Sequence, residues 1–412
     1  MTESLARSPT LAPVTSSSGS RAARRHTGGV AETGLWVVVV AWTAVCAVVV
    51  ARPSGISWHF FDEGARMLLH TAGLHLYAAD PLLQIGPLSL LVAGALDVVT
   101  AGHALGGAQV LMTLALPAGL ALLGSVVPQR HRRLRLLLAG LLAAPTWVVL
   151  AVRWAHLDDV LAILLLTITV AAVRSPRGRP VLAGLAVAAA VAAKPWAVIG
   201  LPLLLVLPTG RLRAGVAVVT GMAVAWLPFL VADQGTVGAL RPAVGINDSS
   251  TLWLVGIRDA VVPGWVRTAQ LLGGPLAALV VVLRGRWPAA LLAGIAVRLL
   301  LDPQDIAYYA GSAVLAAVVA DLFGHRSRIP WLALLTSVAL WQPFVPDFTR
   351  RFGSSTGLTL WWFQHPGAVA VVHTVWAVAV VAWGIIGRRP PSGAAGQDAL
   401  RVSVAPTAGR PG

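Results

Sequence analysis

The chain has 412 residues, of which 57% are hydrophobic and only 11% charged, with a mean hydropathy of +0.77 and a formal net charge of +15. An ordinary soluble domain carries about 25% charged residues, so the composition excludes one and describes a polytopic membrane protein. The lone Cys46 excludes a disulfide framework or a cysteine-based metal site, and the basic residues lie in short clusters without the interleaved aromatics of a nucleic-acid surface.

Residues 1–33 are rich in Ser, Thr, Arg and Gly and predict a disordered cytoplasmic tail, as do residues 388–412. Between them, 34–387 form one transmembrane domain. The first apolar segment, 34–51, has no small-residue cleavage site after it and reads as a retained anchor. Apolar stretches at 106–127, 135–152, 160–173, 180–194, 196–208 and 214–231 follow, then 265–283, 287–301, 308–323, 330–345 and 367–387. Each is about long enough to cross a hydrocarbon core of ~30 Å. With Gly86 to Val99, read as re-entrant although Asp97 also suits a short true span, the count is 12 to 13 membrane segments. The fold expected is all-α: a transmembrane helical bundle held by small residues.

Charge gives the orientation. Clusters around Arg24, Arg132, Arg177, Arg211, Arg284, Arg326 and Arg388 fall in alternate loops, as the positive-inside rule requires of cytoplasmic ones. Eleven of the 16 acids, including Asp62, Glu63, Asp80, Asp158, Asp159, Asp233, Asp302 and Asp305, fall in the opposite, outer loops.

The loop from Arg52 to Ile85 is the most polar. Trp58-His59-Phe60-Phe61-Asp62-Glu63 leads into a segment that reads as an interfacial helix, with Met67, Leu68 and Leu74 toward lipid and Arg66 and His70 toward water. Tyr77, Asp80-Pro81 and Gln84-Ile85-Gly86-Pro87 then turn the chain back. A carboxylate beside apolar surface suits proton abstraction; a merely solvating acidic loop is the competing reading. On a helix, neighbouring residues point about 100° apart, so Asp62 and Glu63 need not share one cavity. Further on, Trp154-Ala155-His156-Leu157-Asp158-Asp159 opens a span. One acid there would serve as a helix cap; two plus a histidine leave polar capacity over. Lys194, the only lysine against 30 arginines, precedes Pro195 at an expected outer boundary. It reads as a phosphate-holding point charge or as a snorkelling helix end. Weaker candidates are Asp302 to Asp305 with Tyr308-Tyr309, Asn247-Asp248, and Arg350-Arg351 with His365.

The order of a first span, an outer loop opening on Asp-Glu, interfacial helices and a Tyr/Pro-containing return resembles the GT-C superfamily of integral-membrane glycosyltransferases. Phe61-Asp62-Glu63, the Tyr77 to Pro87 return, His156 to Asp159 and Ala193-Lys194-Pro195 bring it nearest glycosyltransferase family 87, the polyprenyl-phosphate-mannose-dependent mannosyltransferases of actinobacteria. The resemblance implies a cell-membrane enzyme that moves a sugar from a polyprenyl-phosphate donor to a glycolipid or glycan acceptor outside the cytoplasm. Asp62 would be its general base and Glu63 would assist; substrate would be bound by His59, Tyr77, His156, Asp158, Asp159, Lys194, Asp305, Tyr308 and Tyr309. No cofactor is implied, no metal spacing stands out, and a divalent metal has no support in the sequence. A lipid transporter or flippase is the alternative, although no repeated half is visible.

Overall fold

The computed structural model describes residues 18–51, 54–128, 131–176, 178–240, 244–325, 327–342, 361–362 and 364–387; among them every regular element is helical. Helix α1 (Ser18–Val50) leads through α2 (Trp58–Arg66), a π turn (Met67–Thr71) and α3 (Leu76–Ala79) to α4 (Pro87–Val99). Helices α5 (Ala104–Val126), α6 (Arg132–Val148), α7 (Leu157–Arg174) and α8 (Pro180–Ala193) follow, and a π turn (Val149–Trp154) extends α6. A 3-10 helix (Pro195–Val206) then precedes α9 (Arg211–Ala232). The remainder holds α10 (Thr251–Leu254), α11 (Gly264–Leu283), α12 (Ala290–Leu300), α13 (Tyr309–Gly324), α14 (Trp331–Ala339) and α15 (Pro366–Ile386). Of the tail expected at 1–33, residues 1–17 lie outside the described residues, as do 388–412 and Arg350-Arg351, whereas 18–33 form the start of α1 and not a disordered segment.

Six of these helices are long and apolar enough to cross a membrane: Glu32–Val50, Ala104–Val126, Arg132–Trp154, Arg211–Ala232, Gly264–Leu283 and Pro366–Ile386. Shorter apolar helices pack among them. The most enclosed is α13, whose residues from Tyr309 to Leu322 are all buried. An element apolar on every side belongs inside a bundle, and its Gly, Ala and Ser residues let neighbours approach closely.

The bundle has two chemically distinct ends. At the lower end Arg132 bonds Glu32 of α1, Arg135 donates to the carbonyls of Asp321 and His325, and Arg286 donates to the carbonyl of Trp383. The upper end gathers most of the acids that the sequence places together. There the carbonyls of Val152, Arg153 and Trp154, released from the helix by its π turn, accept the N–H groups of Gly55, Ile56 and Ser57 at 3.0 to 3.1 Å. These bonds fasten the first upper loop to the helix that enters the site.

Both ends of α4 lie at this upper end. It starts against the end of α8, where the Gly86 N–H and the Ser89 hydroxyl donate to the Ala193 carbonyl at 3.0 and 3.1 Å. Four residues beyond its end, α5 begins, and Gln109 of α5 donates to the Val152 carbonyl at 2.8 Å. The segment therefore returns to the side from which it set out. Helix α2 buries Trp58, Phe61, Gly64 and Ala65, one face at helical spacing, while Phe60, Leu69, Leu74 and Leu82 stay exposed. Met67 and Leu68, expected toward lipid, pack instead against the core, because the π turn shifts the faces that follow α2.

Gly86 is the tightest point of this arrangement. A Cβ there would stand 2.1 Å from the Ala192 carbonyl oxygen and 2.7 Å from that of Ala193, whereas one at Gly106 would meet nothing within 4 Å. Gly86→Ala should therefore lower thermal stability in detergent by about 1–3 kcal/mol, and Gly106→Ala, a helix-interior position, should be neutral or stabilising. Equal melting temperatures for the two variants would contradict the packing described.

Candidate functional site

The site begins with a helix break. Pro195 has no N–H and pushes the residue before it out of the helical region, so Lys194 is extended, at φ −150° and ψ 121°. This turns its side chain away from the axis of α8 and onto the first turn of α7. Just before that helix the π turn that extends α6 closes through Ala155, a non-glycine residue at φ +51°, which reverses the chain and brings His156, Asp158 and Asp159 to face Lys194.

The four side chains form one cluster. Lys194 Nζ bonds Asp158 Oδ2 and lies 3.2 Å from Asp159 Oδ2; His156 Nδ1 lies 3.2 Å from Asp158 Oδ1 and 3.5 Å from Asp159 Oδ2. Asp158 Oδ1 also accepts the Asp159 N–H at 2.8 Å, the bland helix-cap contact, and Trp196 Nε1 donates to Asp159 Oδ1 at 2.7 Å. Both carboxylates are fully buried. Two buried carboxylates therefore face one largely buried ammonium. His156, Asp158 and Asp159 each offer a ligand atom, all within 4.8 Å of one another. This is a metal-type grouping that the sequence spacing does not reveal.

Across a cavity of about 360 Å³ stand the last helices. Tyr308 stacks on the His156 ring at 3.8 Å, and Tyr309 meets Tyr308 edge-on at 4.6 Å. Arg298 lies over Trp196 and Tyr309, at 5.1 and 4.6 Å, and pairs with Asp302 at 3.6 Å. Burial pushes the Asp302 carboxyl above the usual carboxylate range against the pull of Arg298. Among the described residues the direct hydrogen-bond partners of Arg267 of α11 are neutral: it donates to Gln84 at 2.7 Å and to Gln270 at 3.1 Å.

Among the described residues, three buried donors on residues lining this cavity have no hydrogen-bond partner: Trp154 Nε1, Gln270 Nε2 and Arg298 Nη1. Unpaired buried donors are costly and rare, and these three leave the lining with capacity to bond acceptors. A second cavity of about 320 Å³ shares Leu83, Gln84, Ile85, Pro195, Arg267 and Leu271 with the first and is otherwise mainly apolar, walled by Val191, Val198, Met222, Trp226 and Leu230 with Tyr77 and Thr236. Arg267 and Gln84 thus stand where a polar chamber meets an apolar groove.

Of the residues singled out in the sequence, His156, Asp158, Lys194, Tyr308 and Tyr309 line the chamber, and Asp159 backs it. Tyr77 lines the groove with its ring, and its hydroxyl donates to the Ile85 carbonyl at 2.8 Å. Asp305 faces a small side cavity and lies 2.8 Å from His373 Nδ1. His59, Asp62 and Glu63 do not line the chamber, although Phe60 and Phe61 beside them do. His59 is exposed, and Asp62, half-buried, lies 3.7 Å from the exposed Arg66 one helical turn on. Arg267, Arg298, Gln84, Gln270 and Asp80 are site residues that the sequence reading missed as such.

Fold and site together define an all-α membrane protein with a charged, largely buried chamber at one end of its bundle. Comparison of the chain with protein-family models, with curated proteins and with solved structures finds no match.

The cluster on α7 sets an order of stabilities. Lys194→Met leaves two buried carboxylates without their cation, a change expected to cost about 3–5 kcal/mol. Asp159→Asn leaves a one-to-one pair and should cost clearly less. Denaturant unfolding of the purified variants checks the order, and a milder effect for Lys194→Met would overturn the charge assignment.

Proposed function

We propose that the chain is a membrane glycosyltransferase of GT-C type that moves a sugar, mannose by the resemblance, from a polyprenyl-phosphate donor to a hydroxyl of a glycolipid or glycan acceptor outside the cytoplasm. The observation that carries this reading is the junction at Arg267. A donor-rich chamber and an apolar groove meet there, and a polyprenyl-phosphate sugar has the matching three parts: polar sugar, anionic phosphate and apolar tail.

Roles follow from which charges are already spent. Lys194 is engaged by two carboxylates, so Arg267, with only amide partners, and the unpartnered Nη1 of Arg298 are the groups for the phosphate. Tyr308, Tyr309 and Trp154 offer ring faces and donors to the sugar. In the reaction a carboxylate takes the acceptor O–H proton, the oxygen bonds the anomeric carbon with inversion, and the carbon–oxygen bond to phosphate breaks. Its electron pair leaves on polyprenyl phosphate. Fixed cations are worth most where that negative charge develops.

Asp158 and Asp302 are occupied by cations, which removes them as free bases. Asp80 borders the chamber with no cation on it among the described residues, and one of its oxygens accepts the Leu82 N–H at 3.1 Å. The base role falls to Asp80 on this geometry. Asp62 is the second reading, favoured by its place directly after Phe61, which does face the chamber.

With the full chain in lipid nanodiscs, a polyprenyl-phosphate-mannose donor and a membrane glycolipid acceptor, transfer should be measurable, and Arg267→Gln should raise the KM for donor by about tenfold or more. Asp80→Asn should lower kcat by about 10²- to 10⁴-fold with the fold intact. If Asp62→Asn does so and Asp80→Asn does not, the base is Asp62. Donor lipid that binds and crosses the bilayer without any sugar transfer would replace the enzyme with a flippase.

A further inference from the structure

We infer that His156, Asp158 and Asp159 form a divalent-cation ligand set whose resident cation is the ammonium of Lys194, and that removing the ammonium opens the set to a metal ion. This holds whether or not the chain transfers sugar.

The geometry is that of a metal site in all but its occupant. One imidazole nitrogen and two carboxylate oxygens lie within 4.8 Å of one another. Ligand atoms placed about 2.0–2.6 Å from one ion have just such separations. Asp158 and Asp159 are 0% and 1% exposed, so bulk water screens neither charge. Asp159 Oδ2 is buried, accepts no hydrogen bond, and faces the set, 3.2 Å from Lys194 Nζ.

Lysine suits this position because its ammonium is compact, donates in three directions and can sit among oxygens as an ion does. The guanidinium of arginine is larger and presents its donors in one plane, which suits an ion-like position less well. That accounts physically for one lysine in a chain with 30 arginines. With one positive charge against two carboxylates, the cluster keeps an excess negative charge. Shortening Lys194 leaves both the room and the charge for a divalent ion.

The test uses purified full-length protein stripped with a chelator, with Mn²⁺ and Zn²⁺ as probes. Wild type should show no saturable rise in melting temperature and no stoichiometric Mn²⁺ binding by electron paramagnetic resonance. Lys194→Ala should gain both, and adding Asp158→Asn should abolish them. Lys194→Gln, which keeps bulk and a hydrogen-bond donor, is the second variant should Lys194→Ala fold poorly without metal; it should gain the same response more weakly. Recovery of folded Lys194→Ala only in the presence of metal supports the inference. Saturable Mn²⁺ binding by wild type that Asp158→Asn removes, folded variants that ignore both ions, or failure of both variants to fold even with metal would each overturn it.

Discussion

Two carboxylates buried side by side can persist only if a cation is buried with them, because desolvating an unpaired charge costs several kcal/mol. Asp158 and Asp159 meet that condition through Lys194, and much of the upper end follows from it. The lysine must leave its own helix to reach α7, which Pro195 enforces. The break frees the carbonyl of Ala193, and the start of α4 supplies the missing donors through Gly86 and Ser89. A single ion cluster thus ties α4, α7, α8 and the 3-10 helix into one wall.

The same constraint divides labour among the cations. Lysine is spent on structure, and the arginines across the chamber keep donors for something else. Arg298 is held by Asp302 and two aromatic rings but leaves Nη1 unpaired, while Arg267 is held only by amides. Fixed donors of this kind lower the reorganisation needed when charge moves onto a leaving phosphate. The apolar groove beside them offers length instead of polarity, and the sharing of Gln84 and Arg267 makes the two spaces one composite site.

Much of the fold was legible in the sequence, since apolar runs have a length and a membrane has a thickness. The stretch expected at 106–127 is α5 at Ala104–Val126, long enough to cross, whereas that at 196–208 is a 12-residue 3-10 helix, Pro195–Val206, shorter than the crossing expected. Gly86 to Val99, read as re-entrant, holds one continuous 13-residue helix, α4. What composition cannot express is pairing between residues far apart. Lys194 and Asp158 were each visible as unusual, but their bond spans 36 positions, so the sequence offered the lysine as a phosphate contact or a snorkelling helix end and not as the partner of Asp158. Arg267 and Arg298 were hidden among arginines read as topology markers. The half-buried place of Asp62, outside the chamber lining, depends on the phase of α2, which buries Phe61 and sets its neighbour toward the edge of that face.

The measurement that bears most directly on the composite site is a cryo-electron microscopy map of the full chain in nanodiscs with a bound polyprenyl-phosphate sugar or a non-hydrolysable analogue. The account predicts phosphate density against Arg267 and Arg298, the tail along Val198, Met222 and Trp226, and the sugar beneath Tyr308. A lipid phosphate held elsewhere, with the groove filled by protein side chains or by ordinary membrane lipid in the donor's presence, would contradict it.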